Sequence, residues 1–284
     1  MKTQKNIEKT SDTRQGNGLN SNQEKSLEIS QRSRMRINLG QSQLIGFVSF
    51  LIVWEICHLL LKTNTIPSPV EAMQQVISTP YILVQHCGAS ILRVGAAVII
   101  ALIPAVPIGI LLGVNNTCKR LFSPLLYFIY PIPKVAFLPV FMILFGLGNT
   151  SKITLVTWII IFQIILSVRD GVERIEAVNF KVMDSFCAST FQKYRYLIIP
   201  AILPQIFSGL RISIGISLAS LFYAENYATK YGIGYYIISA WTRMDYIEMF
   251  AGIMMLGFVG ILLFKILDLL ELLCTPWIKR NRGS

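Results

Sequence analysis

Six segments of this chain are long and apolar enough to be read as crossing a lipid bilayer, and that constrains its fold more than anything else. A helix needs about 20 apolar residues to traverse about 30 Å of hydrocarbon. The first segment is 43–61, QLIGFVSFLIVWEICHLLL, interrupted by Glu55. The second is about 91–113, and the third about 122–147, with Pro131, Pro133 and Pro139. The fourth, 153–168, is short and uncharged; the fifth, about 205–224, has Arg211 near its start. The sixth begins near Met249, stays uncharged through Phe264, then continues with Lys265, Asp268 and Glu271 into water. Only 14% of the residues are charged, against about 25% in soluble domains. The expected fold is all-α and integral to the membrane, with about six transmembrane helices.

Orientation follows from where Lys and Arg fall. The tail before the first segment holds eight of them. Lys119 and Arg120 lie in the loop 114–121; Arg169, Arg174, Lys181, Lys193 and Arg195 lie in 169–203; Lys279, Arg280 and Arg282 lie at the C-terminus. The alternate loops are poorer, with Lys62, then Lys152, then Lys230 and Arg243. Six spans with both termini in the cytoplasm satisfy this pattern. The net charge of +11 then belongs to cytoplasmic loops facing lipid headgroups, and nucleic acid is not an expected partner.

Residues 1–36 contain only Met1, Ile7, Leu19, Leu27, Ile29 and Met35 as large apolar residues. Such a segment buries too little surface to offset its ordering entropy. Residues 1–40 are therefore expected to be a disordered cytoplasmic tail, and 41–284 the transmembrane domain. Cys57, Cys87, Cys118, Cys187 and Cys274 form no CxxC pair, and His58 and His86 have no ligating or catalytic spacing. Neither a disulfide framework nor a metal site is expected.

Prolines and glycines gather in the second and third segments, from Pro104 to Gly148. Broken helices at membrane depth survive where protein or a water-filled cavity satisfies the freed backbone. Pro131, Pro133 and Pro139 are thus candidates for a translocation path, with a kinked helix packed in a bundle as the alternative. Charged residues in or beside the spans are candidates by the same logic: Glu55, Arg93, Arg211 and Glu225, whose other role would be snorkelling or an interhelical pair.

The polar stretch 176–200, EAVNFKVMDSFCASTFQKYRYLIIP, interrupts the apolar pattern. Ile175, Val178, Val182, Met183 and Phe186 make one helical stripe. The helix is expected to end near Cys187. Ser189 and Gln192 are spaced for a capping box opening a second helix, which Pro200 and Pro204 should end before the fifth span. Four acids balance five bases across 169–203, which favours a docking surface for a soluble partner over a helix lying on lipid.

Several stretches together resemble a known family. IPSPVEAM (66–73), ASILRVGAAVIIALIPAVPIGILLGV (89–114), SPLLYFIYPIPKVAFLPVFMILFGLGNTSKI (123–153), LIIPAILPQIFSGLRISIG (197–215), YGIGYYIISA (231–240) and FAGIMMLGFVGILL (250–263) occur in the order and spacing of bacterial ABC importer permeases, in the nitrate, sulfonate and taurine branch. The resemblance implies the type I ABC importer permease fold, with cytoplasmic coupling helices between spans four and five. The family's loop signature is Glu-Ala-Ala, three residues, Gly, nine residues, then Ile-x-Leu-Pro. Leu197-Ile198-Ile199-Pro200 matches its end, which places Lys181-Val182-Met183 at the Glu-Ala-Ala positions and Cys187 at the Gly. Glu176-Ala177 lies five residues too early. The implied coupling loop comprises Asn179, Lys181, Val182, Met183, Asp184, Ser185, Phe186, Cys187, Ala188 and Ser189. A side chain at Cys187 falls where the turn favours positive φ, at about 1 kcal/mol.

The resemblance further implies a transport subunit without catalytic residues, in the bacterial inner membrane. The chain has no G-x-x-x-x-G-K-[ST] phosphate loop, so this chain binds no cofactor, and ATP and Mg belong to two copies of a partner ATPase. A second permease copy in a homodimer and an extracytoplasmic solute-binding protein complete the implied importer, which works by alternating access. Its solutes are small and anionic or polar, and Arg93 is the natural partner for an anion. The alternatives are an uncoupled or regulatory permease-like membrane protein and a secondary transporter; the latter predicts internal repeats and midplane ionisable residues, and no clear repeat is present.

Overall fold

A computed structural model of the protein describes residues 39–61 and 65–277. The expected tail, 1–40, lies outside these residues except at its last two positions. The chain divides into two units, meeting between Thr63 and Asn64. In the first, α1 (Leu39–Leu61) is a 23-residue helix. Phe50, Ile52, Val53 and Ile56 on it are exposed, as suits a surface facing lipid.

The second unit is a helical bundle. It runs through α2 (Pro69–Ser78), α3 (Pro80–Val114), α4 (Asn116–Ile129), a 3-10 turn (Lys134–Phe137), α5 (Leu138–Phe145) and α6 (Asn149–Glu173). Then come α7 (Ala177–Ser185), α8 (Thr190–Lys193), a π turn (Tyr194–Ile198), α9 (Ile199–Glu225), α10 (Ile233–Thr242) and α11 (Tyr246–Cys274). Four helical runs among the described residues are long and apolar enough to cross a membrane: α3, α6, Thr190–Glu225 and α11. The pair α4 and α5, bent by 86° at its break, makes a fifth. The first expected span corresponds to α1, whose apolar stretch Val48–Leu60 is shorter.

Two expectations are corrected, and one left open is decided. The second span starts at Pro80 rather than near 91, giving 35 residues and about 52 Å of helix. It projects beyond the hydrocarbon or tilts within it. Pro104 and Pro107 do not break it; both lie inside continuous helix. Nor do Pro200 and Pro204 end the helix after Ser189, since the run Thr190–Glu225 is continuous. The chain passes Pro200 through the π turn, in which Ile199 N–H donates to Tyr194 O. The wider turn accommodates a ring that would crowd an α-helical carbonyl.

The third span does break. Pro131 and Pro133 cannot donate backbone hydrogen bonds, and Pro133 is extended at ψ 100°. Pro139 sits in the first turn of α5, where its missing N–H is harmless.

The bundle is organised by the seam between α3 and α6. Ala97, Ala101 and Ala105 are fully buried, and Gly109 and Gly113 continue the row at four-residue spacing. Small residues at this spacing let membrane helices approach closely. A Cβ placed on Gly109 would lie 2.6 Å from Val168 Cβ, and one on Gly113 2.5 Å from Val172 Cβ. On a neighbouring face of α6, Gly209 of α9 comes equally close to Ser167. With little hydrophobic drive between helices in lipid, this contact packing is a main source of cohesion. Gly109→Ala is therefore expected to destabilise the protein by about 1–3 kcal/mol through overpacking. Val168→Gly in the same chain, which removes the Cβ that the new methyl meets, should recover part of that, as read by thermal unfolding in detergent.

Candidate functional site

One end of the bundle, where α6 begins and α9 finishes, holds a buried ion pair. Arg93 Nη1 donates to Glu225 Oε1 at 2.5 Å, with side chains 6% and 0% exposed. Arg93 Nε and Nη2 donate to Asn149 Oδ1 at 3.0 and 2.8 Å, and Nη2 also donates to Tyr231 O at 2.7 Å. Glu225 accepts from Ser90 Oγ at 2.7 Å and from Gly234 N–H at 2.9 Å. Ser90 Oγ in turn accepts from Ile233 N–H at 3.0 Å. Gly232 adopts φ +152° beside the pair, and a Cβ there would fall onto Glu225 and Arg93. Only glycine meets both demands.

Taking two charges out of water is costly, and it is tolerated where their hydrogen-bonding capacity is filled. Arg93 uses four of its five N–H donors here. It thereby joins α3, the start of α6, the end of α9 and the segment leading into α10. The group expected to meet an anionic solute is thus an interhelical clamp, although it also borders a cavity of about 870 Å³ with Asn149, Lys152, Lys230 and Tyr231. Removing one partner leaves an unpaired buried charge. Arg93→Met or Glu225→Met alone should cost about 3–5 kcal/mol, and the double variant should be milder than either. Thermal unfolding of the three variants in detergent tests this ordering.

Of the other candidate path residues, Pro131, Pro133 and Pro139 surround the bend between α4 and α5. Arg211 is separate: its Nη2 reaches Asp268 at 2.7 Å and Glu271 at 2.9 Å on α11.

At the opposite end of the bundle, α7 and α8 form the expected hairpin. The helix α7 closes with a Schellman arrangement. Ala188 N–H donates to Met183 O at 3.0 Å and Cys187 N–H to Asp184 O at 2.9 Å. Cys187 adopts φ +51°, the left-handed conformation that the spacing against the family's glycine foresaw. Ser189 then caps α8: its Oγ accepts from Gln192 N–H at 3.4 Å, and Gln192 Oε1 accepts from Ser189 N–H at 2.7 Å. Lys193 Nζ bridges back to Asp184 at 2.5 Å. Asn179, Lys181, Val182, Asp184, Ser185, Phe186, Cys187 and Ser189 are exposed, while Met183 and Ala188 are half-buried. Val178, Val182 and Phe186, at four-residue spacing, are 54%, 49% and 79% exposed. Cys187→Gly should relieve about 1 kcal/mol of backbone strain. Slower hydrogen exchange at the Ala188 amide is the expected sign, with Cys187→Val moving it the other way.

Sequence reasoning missed Ser90, Asn149, Tyr231 and Gly234 at the ion pair. Two of these contribute only backbone groups, and the other two are common polar residues at unremarkable spacing. Lys152 was read as a loop charge. It is 1% exposed, and its Nζ donates to Leu147 O and Gly148 O at 3.1 and 3.3 Å.

Residues 105–280 match the family described as "Binding-protein-dependent transport system inner membrane component". The chain is 30% identical to the taurine transport system permease protein TauC of Escherichia coli K12, over 82% of this chain and 88% of that protein. It is 25% identical to the formylaminopyrimidine transport permease protein ThiX of Halalkalibacterium halodurans, over 83% and 95%. It is 27% identical to the bicarbonate transport system permease protein CmpB of Synechococcus elongatus, over 84% and 89%.

Proposed function

Because this chain belongs to the family of binding-protein-dependent transport system inner membrane components, we propose that it is the homodimerising permease of an ATP-driven importer for a small anionic or polar solute. It is a multi-pass transport subunit of the inner membrane rather than an enzyme, and it works with a separate ATPase and a solute-binding protein. In the proposed arrangement both termini and the hairpin face the cytoplasm. Two ATPases carry the ATP and Mg, and their closure moves the hairpins so that the bundle alternates its access. The names of the taurine and bicarbonate relatives support a small charged solute.

The observation that carries this reading is the hairpin. Its signature residues are replaced, yet its turn, cap and bridging salt bridge are intact, and an apolar row protrudes from it unpaired. A row of this kind is the hot-spot chemistry of a docking surface. This favours a coupled permease over an uncoupled one. Lys181, exposed where the family has Glu, selects an ATPase with a complementary groove.

Phe186→Ala should weaken assembly with the cognate ATPase by at least about 2 kcal/mol, a hot-spot loss, measured by co-purification at graded ATPase concentrations. Lys181→Glu should shift partner preference instead; unchanged assembly would remove Lys181 from the interface. The function itself is tested by uptake into proteoliposomes carrying the permease, its ATPase and its binding protein. Uptake that proceeds without the ATPase sinks the proposal.

A further inference from the structure

A second cavity, of about 250 Å³, lies at the bend after α4. Tyr130 and Lys134 line it from the break, Phe162 and Gln163 from α6, and Ser213 and Ser220 from α9. At 1.5 Å per residue, Phe162 lies about 20 Å from the first residue of α6 and about 16 Å from its last. Ser213 is about 21 Å and about 18 Å from the ends of α9. Both helices therefore present this cavity at mid-height, and Lys134 carries its charge near the middle of the span. A cation at that depth is expensive and marks function by default.

The partners of Lys134 hold it without neutralising it. Its Nζ donates to Tyr130 O at 3.0 Å and lies 5.0 Å from the Tyr130 ring and 5.8 Å from the Phe162 ring. Among the described residues no carboxylate comes within ion-pair distance of it, and no Asp or Glu lines the cavity. Arg93, by contrast, has Glu225. An independent observation comes from Ser213, which is fully buried and whose hydroxyl has no hydrogen-bond partner among the described residues. Buried hydroxyls are almost always paired, so an unpaired one at a cavity wall needs a reason. Gln163 accepts the Tyr130 hydroxyl at 3.3 Å on Oε1, which leaves its amide N–H donors for another acceptor.

We propose that this cavity is a solute station within the permease, built for a small oxyanion. Lys134 supplies the charge, Ser213 and Gln163 donate to the oxygens, and the Tyr130 and Phe162 rings with Ile159 and Ile216 enclose the remainder. The volume of about 250 Å³ lies below that of pockets for drug-sized ligands and suits a solute about the size of a short sulfonate or carboxylate. Charge-assisted hydrogen bonds in a low-dielectric site are the strong kind. The proposal rests on the permease reading, and two measurements separate their failures.

In the first, the full complex is reconstituted and uptake of radiolabelled ethanesulfonate, nitrate and bicarbonate is compared for wild type, Lys134→Met and Lys134→Arg. Loss of the charge should reduce anion uptake about tenfold or more, and Lys134→Arg should retain a substantial part. Co-purification with the ATPase verifies that each variant assembles. In the second, reductive methylation of the Lys134 amine is followed by mass spectrometry on the wild-type complex, with each anion present and with ethanolamine as control. The anions should slow methylation several-fold and ethanolamine should not. Anion uptake by Lys134→Met equal to wild type overturns the station, and so does absence of protection by any of the three anions. A wild-type complex that imports nothing while its Lys134 is protected instead overturns the importer and leaves the station standing.

Discussion

Everything in the second unit is referred to the contact between α3 and α6. The row Ala97, Ala101, Ala105, Gly109 and Gly113 brings the two helices close enough that valine side chains meet the opposing backbone. The same row begins one turn earlier at Arg93, and α6 is fastened at both of its ends. Its first residue, Asn149, accepts from Arg93, and its last, Glu173, pairs with Lys119 at 2.8 Å. Close packing fixes the separation of the helices, and the polar ties fix their relative height. Neither alone would do both, because dispersion contacts between apolar rows tolerate sliding by a turn more readily than hydrogen bonds do.

From this frame a mechanical relation follows. The hairpin lies between α6 and α9, and each helix that leaves it runs to the Arg93 cluster, one through Asn149 and the other through Glu225. The α8 turn continues into α9 through a helical run, with no loop between the hairpin and that helix. The lysine cavity at the α4–α5 bend sits between these same two helices at mid-height. A change in their spacing alters it directly. Arg211 ties α9 to Asp268 and Glu271 of α11.

The hairpin also shows which part of a docking element is held by geometry and which by identity. Its left-handed turn residue is a cysteine, yet the two Schellman hydrogen bonds close around it. The strain of a Cβ at φ +51° is of order 1 kcal/mol, small against the hydrogen bonds, capping box and salt bridge that specify the hairpin. The surface chemistry is free to change while the scaffold is kept, which is how an interface alters its partner without losing its fold.

Much of this architecture was legible from the chain alone. Apolar length placed the spans, because a backbone in hydrocarbon must satisfy itself as helix. The Ser189–Gln192 box and the strained Cys187 turn were legible because capping and left-handed backbone are decided within a few residues. That Pro131 and Pro133 disturb the third span was legible for the same reason, but not whether they break it or only kink it. The continuity through Pro104, Pro107, Pro200 and Pro204 was not, since whether a proline ends a helix depends on what surrounds its freed carbonyl. The pairing of Arg93 with Glu225, across 132 positions, and the distance of Lys134 from every carboxylate among the described residues likewise belong to the tertiary structure. A charge in a sequence carries its sign, but its desolvation and its partners come from other helices, and only their packing decides which charge is neutralised.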